Sequence, residues 1–177
     1  MSEAINRTAY SRLSLFLHWL TAILVIALFA THEGDRGSAS FVFHVSGGAI
    51  AGVFLLWRVG YRIRRGMSTA SDQAAIYNTL SKIVLWGFLA SIFVVIVSGY
   101  FIPWSAGRGI DIYGLFTLPS PMNANRDLHK LLEEVHEIAG QLFIPLIGLH
   151  LLGAAKHAFF DKDGIAQRMF KSSEGGI

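Results

Sequence analysis

The stretch HEIAGQLFIPLIGLH, residues 136–150, decides how this chain folds. It places one histidine at each end of an apolar run, with a single acid, Glu137, beside the first histidine. An ionisable side chain inside a lipid bilayer is costly and usually serves a function. The two histidines of this stretch therefore call for partners elsewhere in the chain.

The composition of the chain is that of an integral membrane protein. Of its 177 residues, 53% are hydrophobic and only 15% are charged, which is too apolar for an ordinary soluble domain. The chain has no cysteine. Disulfides, thiolate metal sites and covalent haem attachment through a C-x-x-C-H motif are therefore excluded.

Four apolar runs predict four membrane-spanning helices, at about 13–31, 41–63, 83–104 and 136–160. About 20 helical residues cross a hydrocarbon layer of about 30 Å, and in lipid the backbone must satisfy its own hydrogen bonds. The first run lacks the small-residue cleavage site of a signal peptide, so we expect it to remain as a helix. Residues 123–137 predict an amphipathic start to the fourth helix, with Asn125 as its N-cap. The predicted fold is an all-α, four-helix membrane bundle that forms a single domain over residues 1–177.

The basic residues predict the orientation of this bundle. Eleven of the fifteen fall on one side: Arg7, Arg12, Arg58, Arg62, Arg64, Arg65, Lys82, Lys156, Lys162, Arg168 and Lys171. The other side has Arg36, Arg108, Arg126 and Lys130. Because cytoplasmic loops are enriched in Lys and Arg, both termini are expected in the cytoplasm.

Four histidines fall into two layers across the predicted bundle. His44 and His136 lie near the outer ends of helices 2 and 4, whereas His18 and His150 lie toward the inner side on helices 1 and 4. A separation of 14 residues returns to within about 40° of the same helix face, about 21 Å further along. Two layers with two histidines each indicate two bis-histidine haem sites.

Nearby residues are candidates for contact with such haems. Gly48 belongs to a set of glycines that let a flat macrocycle approach the backbone, although packing between helices explains these glycines equally well. Arg58 lies 14 residues after His44 and is a candidate partner for a haem propionate, or alternatively a charge that sets orientation. Arg12 is a second candidate.

Several segments resemble the bacterial di-haem cytochrome b561 family of inner-membrane proteins. They are YSRLSLFLHWL, FHVSGGAIAGVFLLWRVGYR, YGLFTLPSP, LLEEVHEIAG and IGLHLLGAAKHAFFDKDG, which together cover most of the chain in the expected order. The resemblance implies two non-covalent haem b groups with His18, His44, His136 and His150 as axial ligands of the iron.

One branch of that family, the superoxide oxidases, passes electrons from periplasmic superoxide to ubiquinone, and this short chain resembles that branch. The resemblance makes ubiquinone, superoxide or a periplasmic redox protein, and membrane lipid the expected partners, with no nucleic acid. Arg126, His129 and Lys130 are then candidates for a cationic superoxide funnel. His157, Trp19 and Lys156 are candidates for the quinone site, with His157 as proton donor.

Two other functions fit parts of the same pattern. An electron carrier or anchor subunit, exchanging electrons between quinone and a dehydrogenase or a periplasmic redox protein, needs the same haems. A bis-histidine zinc or proton pathway would favour carboxylates near the histidines at mid-depth, and the cores of helices 1, 2 and 3 have none.

Overall fold

The computed structural model describes residues 11–66, 75–163 and 166–170. Four helices in these ranges are long and apolar enough to cross a membrane, and we number them as spans in chain order: Arg12–Ala30, Ala39–Arg64, Ile76–Ser105 and Arg126–Asp161. The predicted all-α, four-helix fold is confirmed. Two of the charges used to predict the orientation, Arg7 and Lys171, lie outside the described residues, as do the side chains of Arg65 and Arg168.

The first span is helix α1 (Arg12–Ala30). Ser11 is its N-cap, and the Ser11 hydroxyl accepts a hydrogen bond of 3.2 Å from the backbone N–H of Ser14. At its other end the Thr31 hydroxyl donates to the carbonyl of Ala27 at 2.9 Å. Both bonds satisfy backbone groups that a helix leaves without partners at its ends.

The second span consists of α2 (Ala39–Val42), a π-helical turn (Phe43–Gly47) and α3 (Gly48–Arg65). Ser38 caps its start through a 3.1 Å bond from the N–H of Phe41. The π-helical turn contains His44. Single π turns are rare and occur often at functional sites.

The third span lies in α4 (Ala75–Ser105), which begins well before the predicted start near residue 83. The prediction was wrong because it followed the apolar run alone. An apolar run measures the thickness of lipid that is crossed, whereas a helix continues into water for as long as its backbone bonds form. The residues from Ala75 to Lys82 carry the helix beyond the apolar run.

The fourth span consists of α5 (Arg126–Gln141), α6 (Phe143–Ala155) and a π-helical turn (Lys156–Asp161). Asn125 is its N-cap, as predicted, and accepts a 3.0 Å bond from the N–H of Leu128. The helix therefore begins ahead of the predicted residue 136, and its first turns are the amphipathic segment.

A short break separates α5 from α6 at Leu142. Pro145 lies four residues after Gln141. Since proline has no backbone N–H, the Gln141 carbonyl lacks its usual helical donor, which accounts for the break at this point.

An antiparallel hairpin joins the third and fourth spans and was not predicted. Its strands are β1 (Ile110–Ile112) and β2 (Phe116–Leu118), with Ile110 opposite Leu118. Tyr113 and Gly114 turn the chain with φ angles of 52° and 70°. The Asp111 carboxylate accepts a 2.7 Å bond from the Gly114 N–H and holds this turn closed.

The core lies mainly between the second and third spans. Its buried residues are Ala51, Leu55, Val59, Leu89, Ile92, Ile96 and Phe143. A Cβ on Gly52 would lie 3.0 Å from Ile96 and 3.1 Å from the Tyr100 ring. Gly52 therefore serves close helix packing, and the Tyr100 hydroxyl donates to the Ala49 carbonyl at the same contact.

The two ends of the described chain meet at one end of the bundle. The indole N–H of Trp19 donates to the Met169 carbonyl at 3.0 Å, and the Trp19 ring contacts Phe170. We call this the inner end and the end that carries the hairpin the outer end.

Candidate functional site

The outer histidine pair joins the second and fourth spans. The ring centroids of His44 and His136 lie 6.0 Å apart, with an angle of 83° between the ring planes. His44 lies in the π-helical turn, and His136 lies in α5. The structure thus brings together the two residues that the sequence places in the outer layer.

The inner histidine pair joins the first and fourth spans. The ring centroids of His18 and His150 lie 6.2 Å apart, with an interplanar angle of 55°. Aromatic rings enclose this pair, since Trp19 lies edge-on to His18 at 5.4 Å and Phe88 lies edge-on to His150 at 5.7 Å. The pair therefore lies in largely apolar surroundings.

Both centroid distances suit two imidazoles that bind one metal ion from opposite sides. A metal–nitrogen bond is about 2 Å long and the ring centre lies about 1 Å further, so opposite ligands place their centroids about 6 Å apart. Ordinary ring pairs in this chain reach similar separations, so the argument for a shared ion depends on both members of each pair being histidine. The spacing fits a single iron between each pair.

Hydrogen bonds orient both rings of the outer pair. His44 Nδ1 donates to the carbonyl of Leu28 at 2.9 Å. His136 Nδ1 lies 3.1 Å from the Ser98 hydroxyl, which itself donates to the carbonyl of Val94 at 2.6 Å. With each Nδ1 acting as donor, each Nε2 keeps a lone pair for a metal, which is the usual arrangement of metal-bound histidines.

A cavity of about 320 Å³ opens beside the outer pair. Its walls are Val25, Leu28, Phe29, His32, Glu33, His44, Leu55, Ile92, Val95, Ile96, His136, Glu137, Gly140, Gln141 and Phe143. A Cβ on Gly140 would meet nothing within 4 Å, so this glycine leaves the space open. His32, in the turn that follows α1, also lies on the wall.

Arg58 supports an anionic group near the inner pair. Its Nη1 atom is buried and has no hydrogen-bond partner among the described residues. Arg58 is also the charged side chain that acts most strongly on the His18 ring. A buried guanidinium N–H without a partner is expensive, and a haem propionate would supply the missing acceptor.

The other two predicted haem contacts are less enclosed. Arg12 is exposed at the start of α1. A Cβ on Gly48 would lie 3.7 Å from Leu28, so Gly48 faces the first span next to the residue that orients His44. The structure therefore places Gly48 near the outer pair and Arg12 at the inner end.

The three residues of the predicted cationic funnel lie on the first turns of α5. Arg126 and Lys130 are exposed, whereas His129 is half-buried. The Nδ1 atom of His129 donates to the carbonyl of Ile102 at 2.9 Å, and its Nε2 lies 3.2 Å from Glu133. The structure thus ties His129 to protein acceptors and leaves the two cations in solvent.

The predicted quinone residues lie at the inner end but make contacts of their own. Trp19 bonds to Met169, as described above, and Lys156 forms bonds of 2.8 and 2.6 Å to Asp161. His157 Nδ1 lies 2.7 Å from an Asp163 carboxylate oxygen.

Two residues beside His136, Ser98 and Gly99, were not predicted from the sequence. Besides Ser98, Gly99 lies against the histidine, because a Cβ at this position would be 3.1 Å from His136 Cε1. The signal in the sequence is the Ser-Gly pair in the otherwise apolar run VVIVSGYF of the third span. Nothing in the sequence alone says which face of that span meets the fourth.

Comparison with known proteins agrees with this geometry. The family model of prokaryotic cytochrome b561 matches residues 9–172. The chain is 27% identical over 183 residues to "Cytochrome b561 homolog 2" of Escherichia coli (strain K12), covering 95% of each chain. It is 26% identical over 174 residues to "Probable superoxide oxidase CybB" of Yersinia pestis, covering 94% of this chain and 98% of the relative.

The resemblance seen in the sequence is thereby confirmed at the level of the family. The match extends over all four spans and includes both histidine pairs. The chain belongs to the prokaryotic cytochrome b561 family and is a multi-pass membrane protein of electron transfer.

Proposed function

We propose that this chain is a di-haem b-type cytochrome of the bacterial inner membrane, with both termini in the cytoplasm. His44 and His136 hold the outer haem, and His18 and His150 hold the inner haem. The observation that carries the proposal is the pair of centroid distances, 6.0 and 6.2 Å, at two depths of one bundle. Haem iron with two imidazole ligands has no open coordination position and supplies one-electron transfer.

The protein residues hold and tune these groups. Leu28 and Ser98 fix the outer imidazoles through their Nδ1 atoms. Arg58 offers a buried N–H to a propionate of the inner haem, and Arg12 is the second candidate partner. Gly48 lies beside Leu28 near the outer site and remains a candidate haem contact. Apolar side chains such as Leu55, Ile92 and Phe143 line much of the cavity beside the outer pair, and Trp19 and Phe88 contact the inner pair.

For the electron donor, we propose superoxide at the outer end. Two superoxide anions each give one electron and leave as O₂, and one ubiquinone takes up both electrons with two protons to form ubiquinol. Arg126 and Lys130 are exposed and can attract the anion. His129 adds little to this attraction, because the carboxylate of Glu133 lies 3.2 Å from its Nε2 atom and offsets a positive charge there. The name of the Yersinia pestis relative supports this donor.

For the electron acceptor, we propose ubiquinone at the inner end. Reduction to ubiquinol consumes protons, so the site needs a proton donor close to the cytoplasm. His157 lies seven residues after His150 and therefore close to the same helix face. The Asp163 carboxylate holds its ring at 2.7 Å and can return a proton to it. Trp19 and Lys156 are the neighbouring candidates for contact with the ring of the quinone.

A second function is favoured by the charge at the outer end. Seven acidic side chains lie there: Glu33, Asp35, Asp111, Asp127, Glu133, Glu134 and Glu137. Four basic ones oppose them: Arg36, Arg108, Arg126 and Lys130. A surface with excess negative charge attracts a positively charged partner. The alternative is an electron carrier that docks a basic periplasmic redox protein at this end.

We predict that replacing any one of the four histidines removes mainly the haem of its own layer. His44→Ala or His136→Ala should lose mainly the outer haem, and His18→Ala or His150→Ala mainly the inner one, because each haem loses one of its two ligands. Haem per protein and the low-spin absorption bands measure this. His32→Ala is the matched control and should keep both haems. Two normal low-spin haems in any of the four variants would contradict the assignment.

We predict that the outer cations speed the reaction with superoxide. Arg126→Gln combined with Lys130→Gln should slow reduction of the haems by superoxide, and added salt should shrink the difference because it screens exposed charges. Stopped-flow absorbance at low and high salt measures the rate. Arg36→Gln, on a different loop, is the control. Unchanged rates at both salt concentrations would remove the funnel and favour the carrier.

We predict that His157→Ala slows only the last step. Both haem spectra and the reduction of the outer haem should stay close to wild type, while reoxidation of the reduced haems by added ubiquinone should become at least several-fold slower. Lys162→Ala, an exposed residue beside the same π-helical turn, is the control. A wild-type reoxidation rate would take His157 out of the quinone site, and loss of the inner haem would show that His157 has a ligand role instead.

A further inference from the structure

The hairpin at the outer end is attached to the side of the second span. The Ser46 hydroxyl donates to the carbonyl of Asp111 at 2.9 Å and accepts from the N–H of Tyr113 at 3.1 Å. Ser46 is only 2% exposed, and Ile110 and Ile112 of the first strand are also buried. The hairpin is therefore fixed to the bundle through its backbone.

The attachment point lies below the expected outer surface of the bilayer. If Arg62 marks the inner headgroup layer, about 30 Å of helix at about 1.5 Å per residue reaches its outer limit near residue 42. Ser46 is then about 6 Å deeper than this limit. The hairpin consequently lies beside the span at this depth and does not sit above it in water.

The hairpin also lies on the side of the span that faces away from the outer cavity. Ser46 follows His44 by two residues, so the two side chains lie on roughly opposite sides of the helix. The contact with the hairpin continues to the next residue of the span, because a Cβ on Gly47 would lie 2.9 Å from the Tyr113 hydroxyl. Phe43 is partly exposed on the outside of the bundle. The hairpin thus extends the surface that the second span presents to lipid.

The tip of the hairpin is apolar where it is most exposed. Leu115 is 80% exposed and Phe116 is 56% exposed, with Tyr113 beside them. The one acid of the hairpin, Asp111, bonds to the N–H of Gly114. Aromatic and aliphatic groups with one charge nearby suit the boundary between headgroups and acyl chains rather than the bilayer centre.

We propose that this hairpin is a membrane-interface anchor, with Leu115 and Phe116 inserted into the outer leaflet. The strand pairing and the bonds to Ser46 satisfy backbone groups that lipid cannot satisfy. The anchor fixes the loop from Ser105 to Asn125 that leads into α5. It thereby holds the start of α5, the helix that carries His136, at a constant depth.

The absence of cysteine from the chain allows a direct test. Leu115→Cys and Phe116→Cys, each with a nitroxide label, are reconstituted with both haems into phosphatidylcholine vesicles. Accessibility to O₂ and to a water-soluble nickel chelate is measured as the increase in relaxation over a sample under nitrogen, which removes the contribution of the haem iron, and the two increases are compared as a ratio. Ile23→Cys, at a site 63% exposed on the first span, is the lipid control, and Asn123→Cys on the outer loop is the water control.

Both hairpin labels should give an O₂-to-nickel ratio several-fold above that of Asn123→Cys, approaching that of Ile23→Cys. A ratio equal to that of Asn123→Cys at both positions would overturn the proposal. Spin–spin broadening between labels would also overturn it, since the tip would then contact a second copy of the chain.

A second inference concerns the outer pair and rests on the proposed haem ligation. Ser98 is 3% exposed and lies in the third span, which supplies no ligand. Its hydroxyl donates to Val94, so its oxygen is available to accept from Nδ1 of His136. Gly99 at the next position lets the His136 ring approach the same helix.

We infer that Ser98 is a positioning residue that sets the potential of the outer haem. An acceptor at Nδ1 makes an imidazole a stronger donor to its metal and fixes the ring orientation. A stronger donor stabilises the oxidised iron and lowers the midpoint potential. Ser98 acts on the haem through His136 and does not touch the electron donor.

Redox titration of the holoprotein tests this inference independently of any activity. Ser98→Ala should raise the midpoint potential of the outer haem and leave that of the inner haem unchanged, whereas Ser98→Thr, which keeps the hydroxyl, should restore it. Ser91→Ala is the control, since Ser91 is also buried in α4 and lies seven residues, about two helical turns, before Ser98.

Loss of the outer haem from Ser98→Ala but not from Ser98→Thr would also support the inference, because the hydroxyl would then be required to hold His136 in place. Unchanged potentials in a fully loaded Ser98→Ala protein would overturn the inference. An equal effect of the alanine and threonine variants would also overturn it, because the hydroxyl would then be irrelevant.

Discussion

The fourth span supplies one histidine to each pair, and the rest of the structure depends on this constraint. His136 must meet the second span at the outer end while His150 meets the first span further in. A separation of 14 residues achieves this on a nearly straight helix. The break at Leu142 lies between the two histidines, and Leu142 itself keeps helical backbone angles, so the two sides of the break stay nearly in line. The sequence tolerates Pro145 here because each histidine lies several residues from the break.

Much of this arrangement could be predicted from the sequence because its signals are periodic. Apolar runs of about 20 residues identify spans, and the spacing of 14 residues places two histidines on one face. The pairs themselves follow from matching depths. The start of α5 was predicted from its amphipathic pattern and its N-cap Asn125, which do not depend on an apolar run. The early start of α4 was missed because the residues before the apolar run are more polar and carry no comparable signal.

The contacts that orient the two outer histidines were missed for a different reason. Ser98 and Leu28 act on His136 and His44 through bonds between spans. Such bonds depend on which faces of two helices meet, and a single sequence does not show this. The hairpin was missed because its strands have only three residues each, too few for an alternating pattern to stand out. Arg58, in contrast, was found because it shares the 14-residue spacing.

The two histidine pairs differ in the hydrogen-bond acceptors and charges around them, and these differences affect the haem potentials expected under the proposed ligation. At the outer pair, hydrogen-bond acceptors face both Nδ1 atoms and make the imidazoles stronger donors, which favours oxidised iron. At the inner pair the described residues offer no such acceptors, and a buried guanidinium lies nearby, which favours the added negative charge of the reduced state. Under the proposed ligation, both effects make the outer haem the weaker electron acceptor and the inner haem the stronger one. Under the proposed function, an electron that enters at the outer end would therefore move to lower free energy as it approaches His150, which is the direction that reduction of a quinone at the inner end requires.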